Sequence, residues 1–482
     1  MERKSGKRRR WPATAYPFVF SLIPALSLYL HNIREVAWTQ ALWASAVSLA
    51  IAVACWFATR MAASGAGKRA LILFLSLLLF HFYGMYHEAI SGLLPSGLSP
   101  LAAHALAFIF PGSAWLVLIV LLRRSRRAFL ALGIPMGLAM ASWLAWIAAG
   151  IIIHHARLAA SNAGSREAVA VPAHSPAQKT PDIYCFMLDE FTAPEAVRRL
   201  YGLDNSRFVS SLRDLGFFVA EQSVSRYART EPVLAGILNL GAYSAKDDPY
   251  PLIRDNAVVS FLKGKGYRII EFASIRELFL AAADQRFFYD LSKASLFFDD
   301  YYRILFERTL LRILPDMWRL KQTDLSRYYR QRILEVFARL PEVLAQAGPK
   351  FVYVHLLSPH EPFVFMADGA PAPPGHFWDH STPRHYLEQY RYISERIVDT
   401  VRSILSGSAD PPVILLFSDH SYRGSRKPDS IVPREEMRRV LNALYLPGVP
   451  QPALDPALST RNNFRLVFNL YFGADYPLLA ND

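Results

Sequence analysis

The stretch Pro411-Pro-Val-Ile-Leu-Leu-Phe-Ser-Asp-His420 decides the fold. Val413 to Phe417 are apolar without a break, and the run stops at Ser418, Asp419 and His420. A strand with one wet face alternates, whereas an unbroken apolar run marks a strand covered on both faces, as in a parallel sheet. Two further stretches share the form. Asp182-Ile-Tyr-Cys-Phe-Met-Leu188 stops at Asp189-Glu190, and Lys350-Phe-Val-Tyr-Val-His-Leu-Leu357 runs into Ser358-Pro-His360. Ligands collect at the carboxyl ends of such strands, so three strands ending in carboxylates and imidazoles point to a single site.

Working outward, strands are expected at 182–188, 217–220, 267–272, 351–357, 413–417 and 443–446. Helical periodicity fills much of the sequence between them, at 206–215, 258–263, 384–405 and 461–472. Alternation of this kind predicts an α/β sandwich with a mainly parallel central sheet over 181–482. Roughly 300 residues suffice for one large core. Residues 278–344 are aromatic and basic and read as a helical insertion, and 154–180, rich in Ala, Ser and Pro, reads as a linker. Cys55 and Cys185 are the two cysteines and sit in separate apolar runs, so no disulfide framework is expected.

The first 153 residues have a different character. Five apolar runs, at 13–30, 37–58, 71–90, 101–122 and 129–153, each approach the ~20 residues that cross a bilayer. Residues 1–127 carry 14 Lys and Arg against Glu2, Glu35 and Glu88, out of a whole-chain net charge of +13. The excess basicity therefore belongs to this part, and a nucleic-acid surface elsewhere is not supported. Arg3, Lys4, Lys7, Arg8, Arg9 and Arg10, then Arg60, Lys68 and Arg69, then Arg123, Arg124, Arg126 and Arg127 all fall on one side of the spans, with Arg34 on the other. The positive-inside rule places the N-terminus in the cytoplasm and everything after Ile153 outside it. His81, Tyr83, Tyr86, His87 and Glu88 cluster toward the outer end of the third run, suited to interfacial anchoring or to contact with a lipid headgroup.

Asp189, Asp419 and His420 offer the mixed oxygen and nitrogen donors that suit Zn²⁺ or Mn²⁺. Glu190 is expected on the opposite side if the strand geometry continues, and is the weaker ligand candidate. Thr230 precedes Glu-Pro and an apolar run, where a helix begins. Two readings are open there: an ordinary N-cap, or a nucleophile facing the positive end of the helix. His360, flanked by prolines in Ser358-Pro-His-Glu-Pro362, suits substrate binding or protonation of a leaving group. His355, inside the strand, reads as structural.

In this order, Asp189, Thr230, His360 and Asp419-His420 resemble the alkaline phosphatase superfamily. The likeness is to its sulfatase-like branch of membrane-anchored lipoteichoic acid synthases and phosphoethanolamine transferases. Phe417-Ser-Asp-His420, His355-Leu-Leu-Ser-Pro-His-Glu-Pro-Phe363 and Leu188-Asp189 with Tyr201-Gly-Leu-Asp-Asn-Ser-Arg-Phe208 carry it. The resemblance implies one divalent metal on Asp189, Thr230, Asp419 and His420, with Thr230 as nucleophile and His360 as substrate-binding histidine. It implies a membrane lipid donor, an envelope lipid or glycan acceptor, and a phosphoethanolamine or phosphoglycerol type of group. The chain departs from those relatives in the Glu190 that follows Asp189 and in lacking the disulfides of phosphoethanolamine transferases. No Cys/Ser-x-Pro-x-Arg motif surrounds Thr230, which argues against a sulfatase of the formylglycine type. The alternatives are a sulfoester hydrolase and a catalytically silent scaffold for envelope assembly. Oligomeric state is not readable from these residues.

Overall fold

The computed structural model describes residues 12–33, 36–93, 98–125, 129–164, 180–289, 300–314, 322–424, 432–433, 435–448 and 454–482. The chain forms two compact units. One comprises Met1–Ala160 with Asp290–Lys321, the other Ser161–Tyr289 with Gln322–Asp482.

The first unit contains α1 (Tyr16–His31), α2 (Trp38–Ala62), α3 (Ala66–Ser91), α4 (Pro100–Arg124) and α5 (Gly133–Gly164). Four helices in it, at Trp38–Ala62, Ala66–Ser91, Leu101–Arg124 and Leu130–Arg157, are long and apolar enough to cross a membrane. The expected count of five is not met by length. α1 has 16 residues with Pro24 inside it, or about 24 Å of rise against roughly 30 Å of hydrocarbon. Phe20, Ile23, Ala52, Leu73, Leu77 and Ile147 form a small core. By contrast α4 and α5 leave Leu116, Val117, Leu121, Trp146 and Ile152 exposed. An apolar band of that extent is costly against water and natural against lipid.

The aromatic and polar cluster of α3 turns largely inward. His81, Tyr83 and His87 are buried, Tyr83 Oη lies 2.9 Å from His104 Nδ1, and Glu88 pairs with Arg312 at 2.8 Å. Tyr86 remains exposed. Anchoring at the interface therefore does not describe the buried members. α5 continues to Gly164, so the opening of the expected linker is helical; its remaining residues 165–179 lie outside the described residues. Of the basic residues that set the expected topology, those at 3–10, 34, 126 and 127 lie outside them as well.

The second unit is built on a seven-stranded sheet of β1 (Ile183–Leu188), β2 (Phe218–Val219), β3 (Arg268–Ala273), β4 (Gln285–Phe288), β5 (Lys350–Leu356), β6 (Val413–Ser418) and β7 (Asn442–Tyr445), in the order β2-β7-β6-β1-β5-β3-β4. Neighbours pair in parallel except where β7 meets β6 and β2. The helices are α6 (Pro194–Tyr201), α7 (Ser206–Asp214), α8 (Thr230–Leu238), α9 (Pro249–Arg254) and α10 (Ala257–Gly264), followed, beyond α11, by α12 (Gln322–Leu344), α13 (Arg384–Gly407) and α14 (Asn463–Phe472). α11 (Asp300–Arg308) belongs to the first unit. The segment expected as a helical insertion thus opens with strand β4, and its middle clusters with α1–α5; residues 290–299 and 315–321 lie outside the described residues.

β1, β5 and β6 are buried along their whole length, as their unbroken apolar runs require. Ile183, Cys185 and Met187 face a core shared with Leu234 and Ile237 of α8, Leu262 of α10 and Phe468 of α14. Phe261 stacks on Phe468 at 3.9 Å. Helices packed on this mostly parallel sheet make a mixed α/β domain.

Candidate active site

The register of the sheet builds the site. Leu188, the last residue of β1, lies beside Leu356 of β5 and Ser418 of β6. The three strands therefore end level, and the residues that follow leave from one edge. This brings Asp189 and Asp419, 230 positions apart in sequence, together with His420. Ligand atoms of Asp189, Asp419 and His420 lie within 4.8 Å of one another, and all three residues are buried.

Hydrogen bonds orient each side chain. Asp419 Oδ1 accepts from the Glu190 backbone N–H at 3.0 Å and from its neighbour His420 N–H at 2.8 Å. Asp419 Oδ2 accepts from Thr230 Oγ1 at 2.6 Å. His420 Nδ1 donates to the Ser421 carbonyl at 3.0 Å, which leaves the Nε2 lone pair facing the carboxylates, 3.4 Å from Asp419 Oδ2 and 4.0 Å from Asp189 Oδ1. Arg423 donates to that same Nε2 at 3.1 Å. Asp189 Oδ2 accepts from His355 Nε2 at 3.2 Å, and Ser274 Oγ lies 2.7 Å from His355 Nδ1. Asp189 Oδ1 has no hydrogen-bond partner.

Two buried carboxylates and the His420 imidazole converge on one point with one carboxylate oxygen left unpaired, a set that fits a divalent cation which would take the place of the Arg423 N–H at His420 Nε2. Burial opposes the Asp189 charge, yet His360, His355 and His420 outweigh it and hold its carboxyl below the usual range. Burial likewise works against a charged His420, while Asp419, Glu190 and Asp189 push it up.

Thr230 opens α8 as its first helical residue; the cap position belongs to Arg229, which makes no side-chain cap. The Thr230 hydroxyl is turned to Asp419 instead, and the plain N-cap reading does not hold. At that position an oxygen also faces the positive end of α8.

A second group lies alongside. Glu190, His360 and Glu361 bring their ligand atoms within 4.8 Å of one another. The expectation that Glu190 points away rested on continued strand geometry, and the chain does not continue that way. β1 ends at Leu188 and Glu190 takes a left-handed φ of 61°, which turns its buried carboxylate toward His360. Glu190 Oε1 accepts from the Arg423 backbone N–H at 3.2 Å and Oε2 has no partner. Burial, against some relief from His360 and His420, pushes its carboxyl up to about 7. His360 donates from Nδ1 to the Glu361 carbonyl at 2.6 Å. Burial opposes its charge, but Asp189, Glu190 and Glu361 together push it up to about 9. His380, from the loop before α13, also reaches this group, with Nε2 3.7 Å from Glu361 Oε1.

The family model that matches is Sulfatase, over residues 181–451, more than half of the chain. The chain belongs to the sulfatase family. It is thus an enzyme of the sulfatase-like alkaline phosphatase superfamily. A comparison with curated protein sequences gives no match. Among solved structures, lipooligosaccharide phosphoethanolamine transferase A (EptA) from Neisseria meningitidis is 12% identical, with 95% of each chain covered and a TM-score of 0.43. The C-terminal periplasmic domain of EcEptC from Escherichia coli, in complex with Zn, is 15% identical over 63% of this chain and 86% of that one, with a TM-score of 0.44. The lipoteichoic acid synthase LtaP from Listeria monocytogenes is 13% identical over 61% and 72%, with a TM-score of 0.37.

Within this sulfatase-family domain, the structure brings Asp189, Thr230, Asp419 and His420 into one cluster and sets His360 beside it. Sequence reasoning set Glu190 aside as the weaker ligand candidate and read His355, which holds Asp189, as structural; it did not single out Glu361 or Gln389 of α13. Buried Gln389 donates from Nε2 to the carbonyls of Pro359 and His360 at 3.1 and 2.9 Å. Its Oε1 accepts from the Val364 N–H at 2.8 Å, so one amide fastens both ends of the His360 loop. A buried Gln on an otherwise amphipathic helix was the available signal.

Proposed function

We propose that the chain is a membrane-held, metal-dependent transferase or hydrolase of phosphate-ester or phosphodiester headgroups, with Thr230 as its nucleophile. The 2.6 Å hydrogen bond from Thr230 Oγ1 to Asp419 Oδ2 at the first turn of α8 carries the reading. In this reading Asp189, Thr230, Asp419 and His420 hold one divalent ion, Zn²⁺ or Mn²⁺. Such an ion lowers the hydroxyl pKa and offsets charge on the phosphoryl oxygens. Five spans, with α1 as a short first one, keep the N-terminus in the cytoplasm and the sulfatase-like domain outside. A membrane lipid is then the donor, and an envelope lipid or glycan, or water, the acceptor.

Thr230 Oγ1 attacks phosphorus as the bond from phosphorus to the lipid oxygen breaks. The hydroxyl proton leaves along its hydrogen bond to Asp419. His360, charged near neutral pH because its neighbours push it up to about 9, gives its proton to the departing lipid oxygen. In the second half His360 takes the proton of an incoming hydroxyl, the bond from Oγ1 to phosphorus breaks, and Thr230 recovers its proton from Asp419. The same covalent intermediate serves transfer and hydrolysis. Support for phosphoryl over sulfuryl chemistry comes from the threonine itself, which lies outside any formylglycine motif.

Mass spectrometry of envelope lipids and glycans, with and without the gene, tests this function. Loss of a phosphoethanolamine- or phosphoglycerol-bearing species is expected, and an unchanged envelope contradicts it.

A further inference from the structure

Arg423 touches both groups of ligand-type residues. Its backbone N–H donates to Glu190 Oε1 at 3.2 Å, and its guanidinium donates to His420 Nε2 at 3.1 Å. The preceding N–H, of Tyr422, donates to Thr192 Oγ1 at 2.9 Å. Glu190 and Thr192 are both buried, so the backbone of Arg423 is held at two successive residues. Arg423 itself is exposed whereas His420 is wholly buried. The guanidinium therefore reaches the imidazole from the solvent side, where a substrate must approach.

Two features set this side chain apart from a structural arginine. It contacts an imidazole nitrogen, and among the described residues no carboxylate forms a salt bridge with it. It also ends near the reacting atoms. From Arg423 through His420 Nε2 and Asp419 Oδ2 to Thr230 Oγ1, the successive gaps are 3.1, 3.4 and 2.6 Å. A divalent ion held by His420 Nε2 would take the place of the Arg423 N–H, and like charges repel. The guanidinium is then freed from His420 while its backbone stays tethered beside the cluster.

The charge of the site gives that guanidinium a use. Asp189, Asp419, Glu190 and Glu361 set four carboxyl groups around the place where a phosphodiester anion enters. Attack by Thr230 then adds charge to the non-bridging oxygens, and donors aimed at such oxygens lower the barrier. Arginine presents paired N–H groups in one plane, which match two phosphoryl oxygens. We propose that Arg423 binds the non-bridging oxygens of the donor phosphate when a divalent ion occupies His420, and rests on His420 when the site is unloaded. This role rests on the phosphoryl-transfer reading of Thr230, and the test separates the two.

The full-length protein in nanodiscs, loaded with Zn²⁺, is titrated with inorganic phosphate by calorimetry as parent, Arg423→Met and Arg423→Lys. Phosphate should bind the parent, and Arg423→Met should weaken it about 10–100-fold, the weight of hydrogen bonds to a charged group. Arg423→Lys should recover part of the loss, since it keeps the charge without the planar fork. Chelator competition should show Arg423→Met holding Zn²⁺ at least as tightly as the parent, because no guanidinium has to be displaced. Turnover of a phosphatidylethanolamine donor should fall about 10²–10³-fold in Arg423→Met at an unchanged melting temperature. Equal phosphate affinity in parent and Arg423→Met overturns the role of Arg423 and leaves the Thr230 reading standing. Weaker Zn²⁺ binding by Arg423→Met also overturns it, by making the arginine a support of the cluster. Absence of phosphate binding by the Zn²⁺-loaded parent overturns both.

Discussion

His355 Nε2 stands 3.2 Å from Asp189 Oδ2, and the contact fixes which oxygen of Asp189 remains for a cation. His355 is held from its other nitrogen by Ser274 Oγ at 2.7 Å, so the imidazole cannot turn away. Groups that orient a metal-binding carboxylate set its affinity through geometry.

His355→Phe should therefore keep the fold but weaken divalent-metal binding by about 10–100-fold. Competition against a chelator of known affinity measures this on purified protein. Activity lost to chelation should return with Zn²⁺ or Mn²⁺ at low concentration in the parent and only at higher concentration in the variant.

Gln389 tethers the His360 loop by its amide alone. Gln389→Leu leaves the Pro359 and His360 carbonyls and the Val364 N–H unpaired in a buried place, at a cost of about 1–3 kcal/mol. Denaturant unfolding of the variant checks the magnitude. If the loop positions substrate, the variant also raises KM more than it lowers kcat at saturating donor.

Asp482 predicts an acid-sensitive clasp in the same domain. Its side chain accepts from Arg461 Nε at 2.7 Å, from Ser459 Oγ at 2.8 Å and from Arg226 at 3.2 Å. Burial opposes the charge, but these bonds win and hold the carboxyl below its ordinary value. A depressed carboxyl stabilises the fold above its unfolded pKa, roughly 3.9, and loses that contribution as pH falls through the folded value. Asp482→Asn should cost about 1–3 kcal/mol at neutral pH, and the gap from the parent should close below about pH 4. Thermal melts across that range measure it.

The central strands were legible because both of their faces are buried, which leaves an unbroken apolar run in β1, β5 and β6 and a polar residue where each run stops. The same runs revealed Asp189, Asp419 and His420. Edge strand β4, Gln-Arg-Phe-Phe, was not legible, since four residues with mixed exposure look like the aromatic helices around them. Glu190 was misplaced because its left-handed backbone falls on a residue without the usual Gly or Asn signature. Gln389 and His355 act on partners 30 and 166 positions away, and no local pattern encodes such contacts. By position α11 reads as part of the second unit, yet its Tyr301 packs with Leu28 and Tyr29 of α1.

The central claim is that Thr230 carries the transferred group. Purified full-length protein is incubated with a phosphatidylethanolamine or phosphatidylglycerol donor without acceptor, quenched in acid and digested for peptide mass analysis. The account predicts the headgroup phosphoryl mass on the peptide containing Thr230, no adduct in Thr230→Ala, and a fall in that variant's turnover on the order of 10⁴-fold. An unmodified Thr230 peptide together with full turnover by Thr230→Ala would contradict it.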